Sequence, residues 1–128
     1  LKAYRMQDKA RGVGFDWEQK EQVWDKVKEE MGEYQAELDA MAAAASEQER
    51  QDAYGRAEGE LGDYLFAVVN AARLYGLNPD TALERTCAKF KRRFTYLEEH
   101  TIRQGRNLKD MTLAEMDAIW DEAKAKGL

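Results

Sequence analysis

Apolar residues recur along most of this chain at alternating spacings of three and four, the pattern of helices with one buried stripe. Trp24, Val27, Met31, Tyr34, Leu38 and Met41 predict one long helix running from Trp17 to Ala45. Ser46, with Glu49 three residues on, is a capping box that restarts a helix through Leu61, Tyr64, Leu65, Val68, Ala72 and Tyr75. Gly76 reads as its stop. Asn78-Pro79-Asp80-Thr81 supplies a cap and a first-turn proline for a third long helix. That helix carries Leu83, Cys87, Phe90, Phe94 and Leu97 and ends near Gln104-Gly105. Thr112 and Glu115 box the start of a last helix with Leu113, Met116, Ile119 and Trp120. Before all of these, residues 2–11 form a short helix ended by Gly12 and Gly14, and Asp16 reads as the N-cap of the helix that follows. No stretch alternates apolar and polar residues for long, and β-branched clusters are absent apart from Val68-Val69. The expected fold class is all-α: an antiparallel bundle of four to five helices with short connections.

Composition sharpens this in four respects. A chain of 128 residues fits one domain with a real core, and a single proline suits long helices. The net charge of −5 argues against a nucleic-acid binder but leaves room for an anionic substrate, because bound metal ions invert the local sign. The lone Cys87 permits no intrachain disulfide, as expected in a reducing cytoplasm, and with His100 the only histidine a Cys/His zinc site is excluded. No apolar run approaches membrane-span length and no signal-peptide pattern opens the chain, so no membrane partner is expected. The chain starts at Leu1 and in mid-pattern, which suggests a fragment or processed form of a longer protein.

The densest chemistry lies in two acidic pairs, within Glu29-Glu30-Met31-Gly32-Glu33 and Glu60-Leu61-Gly62-Asp63. Carboxylates three apart project from one helix face and repel unless something positive binds them. Placed on a helical wheel, Glu30 and Glu33 flank one apolar stripe and Glu60 and Asp63 flank the matching side of the next. Antiparallel packing of the two stripes would bring all four to one edge, as a site for a hard divalent cation, Mg²⁺ or Mn²⁺. Gly32 and Gly62, each costing about 0.5–1 kcal/mol in a helix interior, suggest close backbone approach or room for a ligand. Among 25 acidic residues such pairs also arise as solvated faces, and that reading stands beside the first.

Other candidates carry the same duality. In Lys89-Phe90-Lys91-Arg92-Arg93-Phe94, Phe90 and Phe94 would anchor the core while Lys89 and Arg93 share a neighbouring face able to clamp phosphates, or to form ordinary surface ion pairs. Lys124 and Lys126 would extend that positive patch or complement a helix C-terminus. Asn70, inside an apolar run two turns beyond Asp63, needs hydrogen-bond partners, either from a ligand or from a buried network. Trp17, Trp120 and Cys87 read first as core residues, and His100 as a surface residue.

Taken together, Val13–Trp17 (VGFDW), Val23–Tyr34 (VWDKVKEEMGEY), Glu60–Arg73 (ELGDYLFAVVNAAR), Lys89–Phe94 (KFKRRF) and Met111–Lys124 (MTLAEMDAIWDEAK) resemble the MazG nucleotide pyrophosphohydrolase family, from about Tyr4 to Lys126. The resemblance implies residues 15–128 as a helical catalytic domain, with residues 1–14 a linker segment or short helix. It implies a homodimer or dimer of dimers that hydrolyses nucleoside triphosphates to monophosphate and pyrophosphate with Mg²⁺. It assigns Glu30, Glu33, Glu60 and Asp63 as metal ligands; in the hydrolysis so implied, Glu33 or Glu30 would be the general base, if any side chain is. Lys89, Arg92, Arg93 and Lys124 would hold phosphates, and Asn70 and Trp120 would lie near the nucleoside. The chain looks like the C-terminal copy of a tandem-domain protein. The Ala-rich stretch 40–58 is longer than in compact relatives, which puts substrate range in question. Two alternatives stay open: a narrower enzyme, dUTPase-like or phosphoribosyl-ATP pyrophosphatase-like, and a non-catalytic helical dimerisation module. A di-iron carboxylate bundle is disfavoured, because it needs two Glu-x-x-His motifs.

Overall fold

The computed structural model describes residues 1–128, which form five α-helices and no strand. The all-α class read from the sequence is the one observed. The chain divides into two compact units, Leu1–Pro79 and Asp80–Leu128. The first unit holds α1 (Lys2–Arg11), α2 (Val23–Ala43) and α3 (Glu47–Leu74). The second is built from α4 (Pro79–Arg103) and α5 (Leu113–Ala125).

In the first unit α2 and α3 form an antiparallel hairpin. The reversal is sealed by Ser46, whose Oγ accepts from the Glu49 N–H at 3.1 Å. The Glu49 carboxylate reaches back to the Ala45 N–H at 2.9 Å, one residue short of the reciprocal bond of a full box. Register is set by three cross-helix contacts: Trp24 Nε1 on the Tyr75 hydroxyl at 3.0 Å, Tyr34 edge-on to Tyr64, and Arg56 on Glu37 at 2.9 Å.

The face that α3 buries is not the one its large residues predict. Ala53, Ala57, Ala67 and Ala71 are buried, whereas Leu61, Leu65 and Val68 on α3 and Trp24, Met31 and Leu38 on α2 stay more than one-third exposed. A helix rich in both alanine and leucine carries two apolar faces, and periodicity does not say which one meets the partner. Small side chains permit the closer approach, so the alanine face is the one used.

Helix α1 lies on α3, where the buried Gln7 donates from Nε2 to the Phe66 carbonyl at 2.9 Å. Between α1 and α2 the chain is irregular apart from a short 3-10 turn at Lys20–Gln22, so α2 begins six residues later than Trp17. Asp16 is therefore not a helix cap. Its carboxylate takes the Trp17 N–H at 2.8 Å and the buried Arg73 guanidinium at 2.7 Å. A buried charge makes a far stronger demand for a partner than an exposed helix terminus does.

The second unit is centred on Leu97, Met111 and Ile119, with Tyr96, Leu108 and Met116 packed against them. Gly105, at φ +69°, closes α4 in the left-handed conformation that favours glycine, and Gly76, at φ +72°, does the same after α3. Phe90 stacks on Phe94 and tilts against Trp120 at 5.2 Å, yet is 57% exposed, so it is not the core anchor expected. Cys87 is exposed as well, so it is not the small core residue expected. The Thr112 capping box is complete, and Arg106 pairs with Glu115, holding that carboxyl at about 2. Thr112→Ala should cost about 1 kcal/mol of stability in urea titration; an unchanged midpoint would show that α5 does not depend on this cap.

Candidate metal centre

The hairpin register carries Glu30 of α2 opposite Glu60 and Asp63 of α3. One carboxylate oxygen from each of the three lies within 4.8 Å of the other two. Burial grades across the set: Glu30 is buried, Glu60 half-buried and Asp63 exposed. The cluster thus has a closed floor and an open mouth.

Two oxygens are informative. Glu30 Oε2 and Glu60 Oε2 are both buried and accept no hydrogen bond. Buried carboxylate oxygens are ordinarily satisfied, because leaving one unpaired in a low-dielectric site costs several kcal/mol, of order 2–7 for a polar group. The other oxygen of Glu30 takes Lys26 Nζ at 2.8 Å, and the same ammonium lies 3.6 Å from Glu29. Its hydrogen bond to Glu30 raises the Lys26 pKa. One ammonium therefore faces several carboxylates, and the cluster retains a surplus of negative charge.

Glu33 stands beside this set, exposed. The charge of Glu30 first, then burial, then the charge of Glu60, hold its carboxyl above the usual range. Three of the four predicted ligands are thus brought together, with the fourth at the rim. A side chain built on Gly32 or Gly62 would meet no atom within 4 Å, so neither glycine serves close helix packing. The donor set suits a hard divalent cation: all oxygen, clustered, short of hydrogen-bond donors, and open on one side.

Asn70 lies on the same face of α3 as Asp63, seven residues on. Its Oδ1 accepts from Arg73 Nε at 3.2 Å and from Nη2 at 2.8 Å. The remaining predicted site residues, Lys89, Arg92, Arg93, Trp120 and Lys124, belong to the second unit. There Arg93 Nε donates to the Leu128 carbonyl at 2.7 Å, Trp120 packs on Phe90, and Lys89, Arg92 and Lys124 form no ion pair within the chain. Lys26 was not singled out from the sequence, although its four-residue spacing to Glu30 is a signal that could have found it. The Asp16–Arg73 pair joins residues 57 apart and left no local signal.

Comparison with known proteins gives a consistent set of relatives. A family model described as the MazG nucleotide pyrophosphohydrolase domain matches residues 18–97. The chain is 33% identical over 122 residues to the nucleoside triphosphate pyrophosphohydrolase/pyrophosphatase MazG of Thermotoga maritima, covering 95% of this chain and 42% of that protein. It is 34% identical over 124 residues to the nucleoside triphosphate pyrophosphohydrolase of Escherichia coli K12, covering 97% of this chain and 44% of that protein. A Bacillus subtilis protein named YabN is 51% identical over 67 residues, covering 52% of this chain and 14% of its own length. The chain therefore spans less than half the length of each of these relatives.

Proposed function

The chain belongs to the MazG nucleotide pyrophosphohydrolase family, and from that premise we propose that it hydrolyses nucleoside triphosphates to monophosphate and pyrophosphate in a Mg²⁺-dependent reaction. The observation that carries the reading is the carboxylate cluster with its two unpartnered buried oxygens. Glu30, Glu60 and Asp63 would hold the cation, with Glu33 joining from the rim. When bound, Mg²⁺ supplies positive charge to the phosphate oxygens and makes nearby water more acidic; Mn²⁺ would serve the same donor set.

The chain's own groups then have distinct tasks. A water oxygen forms a bond to the α-phosphorus, the α–β anhydride bond breaks, and pyrophosphate departs. Glu30 is committed to Lys26 at 2.8 Å, which leaves Glu33, at the open rim, as the carboxylate best free to take the water's proton. Lys26 lends a positive charge beside a substrate that an acidic protein would otherwise repel. Lys89, Arg92, Arg93 and Lys124 are read as phosphate-binding, and Trp120 as near the nucleoside, on the strength of the family resemblance alone.

Residues that leave large apolar side chains exposed on α2 and α3, among them Trp24, Leu38 and Leu65, support assembly as a homodimer or dimer of dimers. No helix is long and apolar enough to cross a membrane.

A panel of common and damaged triphosphates, assayed with Mg²⁺ for monophosphate and pyrophosphate, tests the activity. Turnover of several substrates is expected. Turnover of one alone would favour the dUTPase-like or phosphoribosyl-ATP pyrophosphatase-like reading, and turnover of none would sink the assignment. Independently, Mg²⁺ should raise the melting temperature, because a ligand present at 100 times its dissociation constant stabilises by about 2.7 kcal/mol. A non-catalytic dimerisation module would show no such shift.

A further inference from the structure

The carboxylate cluster already meets a cation from its own chain. Lys26, one turn before Glu30 on α2, places Nζ 2.8 Å from Glu30 Oε1 and 3.6 Å from Glu29 Oε1. Other basic groups on the hairpin are directed elsewhere. Arg56, one turn before Glu60 on α3, is committed to Glu37 at 2.9 Å. Lys28 stands two residues from Lys26, and residues two apart on a helix do not share a face. The Lys26 side chain is 41% exposed and that of Glu30 only 9%. The ammonium thus reaches in from solvent to a carboxylate on the closed floor of the site.

This pairing is incomplete. Lys26 takes Oε1 of Glu30, while Oε2 of Glu30 and Oε2 of Glu60 stay buried without a donor. One positive charge is set against Glu30, Glu60 and Asp63, whose oxygens lie within 4.8 Å of one another. With nothing else bound, that charge offsets part of their mutual repulsion. Toward an entering dication, Lys26 has two opposed effects. Holding Oε1 fixes how Glu30 presents Oε2, which favours binding. Its charge repels the dication from a few ångströms away, which disfavours binding. The first effect is small, because Glu30 is buried and packing already limits its freedom. The second survives screening, because the contact lies partly out of solvent. Charge therefore outweighs orientation.

We propose that Lys26 is a built-in counter-cation: it stabilises the metal-free hairpin and, by its charge, lowers the affinity of the cluster for a divalent ion. The inference rests on the metal-centre reading above and adds to it a residue that sets how tightly the ion is held. Lys26 supplies beforehand part of the neutralisation that a dication would bring, so filling the site gains less than it would over bare carboxylates.

The test titrates Mn²⁺ alone into the whole chain and into Lys26→Met, with free Mn²⁺ read by electron paramagnetic resonance and melting temperatures taken in chelator. Methionine keeps the length and helix propensity of lysine and removes the charge. Lys26→Met should bind Mn²⁺ about tenfold more tightly and melt at a lower temperature without metal. Lys26→Arg, which keeps the charge, should return both values toward the parent. A residue that only supports the fold would lower the metal-free melting temperature without tightening Mn²⁺. Unchanged or weaker Mn²⁺ binding in Lys26→Met therefore overturns the proposal, as does a metal-free melting temperature equal to or above the parent's. Should Lys26→Met lose its helical circular dichroism, Lys26→Gln is judged by the same two values. The result is separable from the triphosphate reading. Hydrolysis together with an unchanged Mn²⁺ affinity in Lys26→Met keeps the activity and removes the counter-cation. Tighter Mn²⁺ in a chain that hydrolyses no triphosphate keeps the counter-cation and removes the activity. If neither parent nor variant binds Mn²⁺, the metal centre and the proposal fall together.

Discussion

Glu60→Gln is expected to lower triphosphate turnover by at least 100-fold while leaving the helices intact. Ligand groups act through charge, and a neutral amide of the same shape supplies neither the charge nor the two equivalent oxygens that a hard cation prefers. The expected magnitude exceeds the 10–100-fold typical of losses one shell further out, roughly. The same change should leave the metal-free protein as stable as before, or more so. Glu60 Oε2 is buried without a partner and faces Glu30 and Asp63, so removing one charge relieves repulsion. The melting shift produced by Mg²⁺ should disappear with the activity. Near-normal turnover in Glu60→Gln would remove Glu60 from the metal shell, and a surviving Mg²⁺ shift would place the cation elsewhere. A loss of activity accompanied by a large fall in metal-free melting temperature would show that Glu60 is a folding residue instead.

The second large effect is expected at Asp16. Asp16→Ala leaves the Arg73 guanidinium, whose side chain is 5% exposed, without its charged partner. Breaking a fully buried pair costs about 3–5 kcal/mol; with the Asp16 side chain 16% exposed, about 2–3 kcal/mol is expected. Arg73→Met should be milder, because the carboxylate it orphans can reach water and the thioether chain can fill part of the site. Equal losses in the two variants would contradict this asymmetry. The pair also makes stability depend on acid. The Asp16 carboxyl is held below its ordinary value, chiefly by the hydrogen bond from Arg73. A group whose folded pKa is depressed stabilises fully above its unfolded value, about 3.9, and loses that contribution as pH falls through the lower folded value. Urea titrations from pH 6 downward should therefore show an acid-sensitive fraction in the parent protein that Asp16→Ala lacks.

Both effects bear on how much the chain reveals before it folds. The helix ends were legible because caps and stops are local: Ser46 and Thr112 each accept a backbone N–H three residues on, and Gly76 and Gly105 take left-handed conformations. The acidic pairs were legible for a similar reason, since three-residue spacing within one helix fixes a shared face. Their meeting was inferred from matching flanks of two stripes, and three of the four carboxylates do converge. The stripe itself was misjudged. The large residues that suggested the interface are exposed, and alanines at 53, 57, 67 and 71 form the buried face of α3. The inference reached the acidic cluster because the flank of a helix is fixed by spacing even when its buried face is not. Cys87, Phe90 and Asp16 failed on the same ground, each being assigned from its own helix or turn while its environment depended on what lay opposite.

By itself, the sequence determined the all-α class, the helix boundaries set by caps and glycines, the family resemblance and the four acidic positions. All of these follow from contacts within a few residues or from ordered motifs along the chain. Only the tertiary structure decided which face of α3 is buried, that Glu30 Oε2 and Glu60 Oε2 are left without donors, and that Asp16 and Gln7 turn toward α3 across gaps of 57 and 59 residues. Such contacts depend on which surfaces pack closest, and packing is settled by the shapes of both partners at once, which no single segment carries.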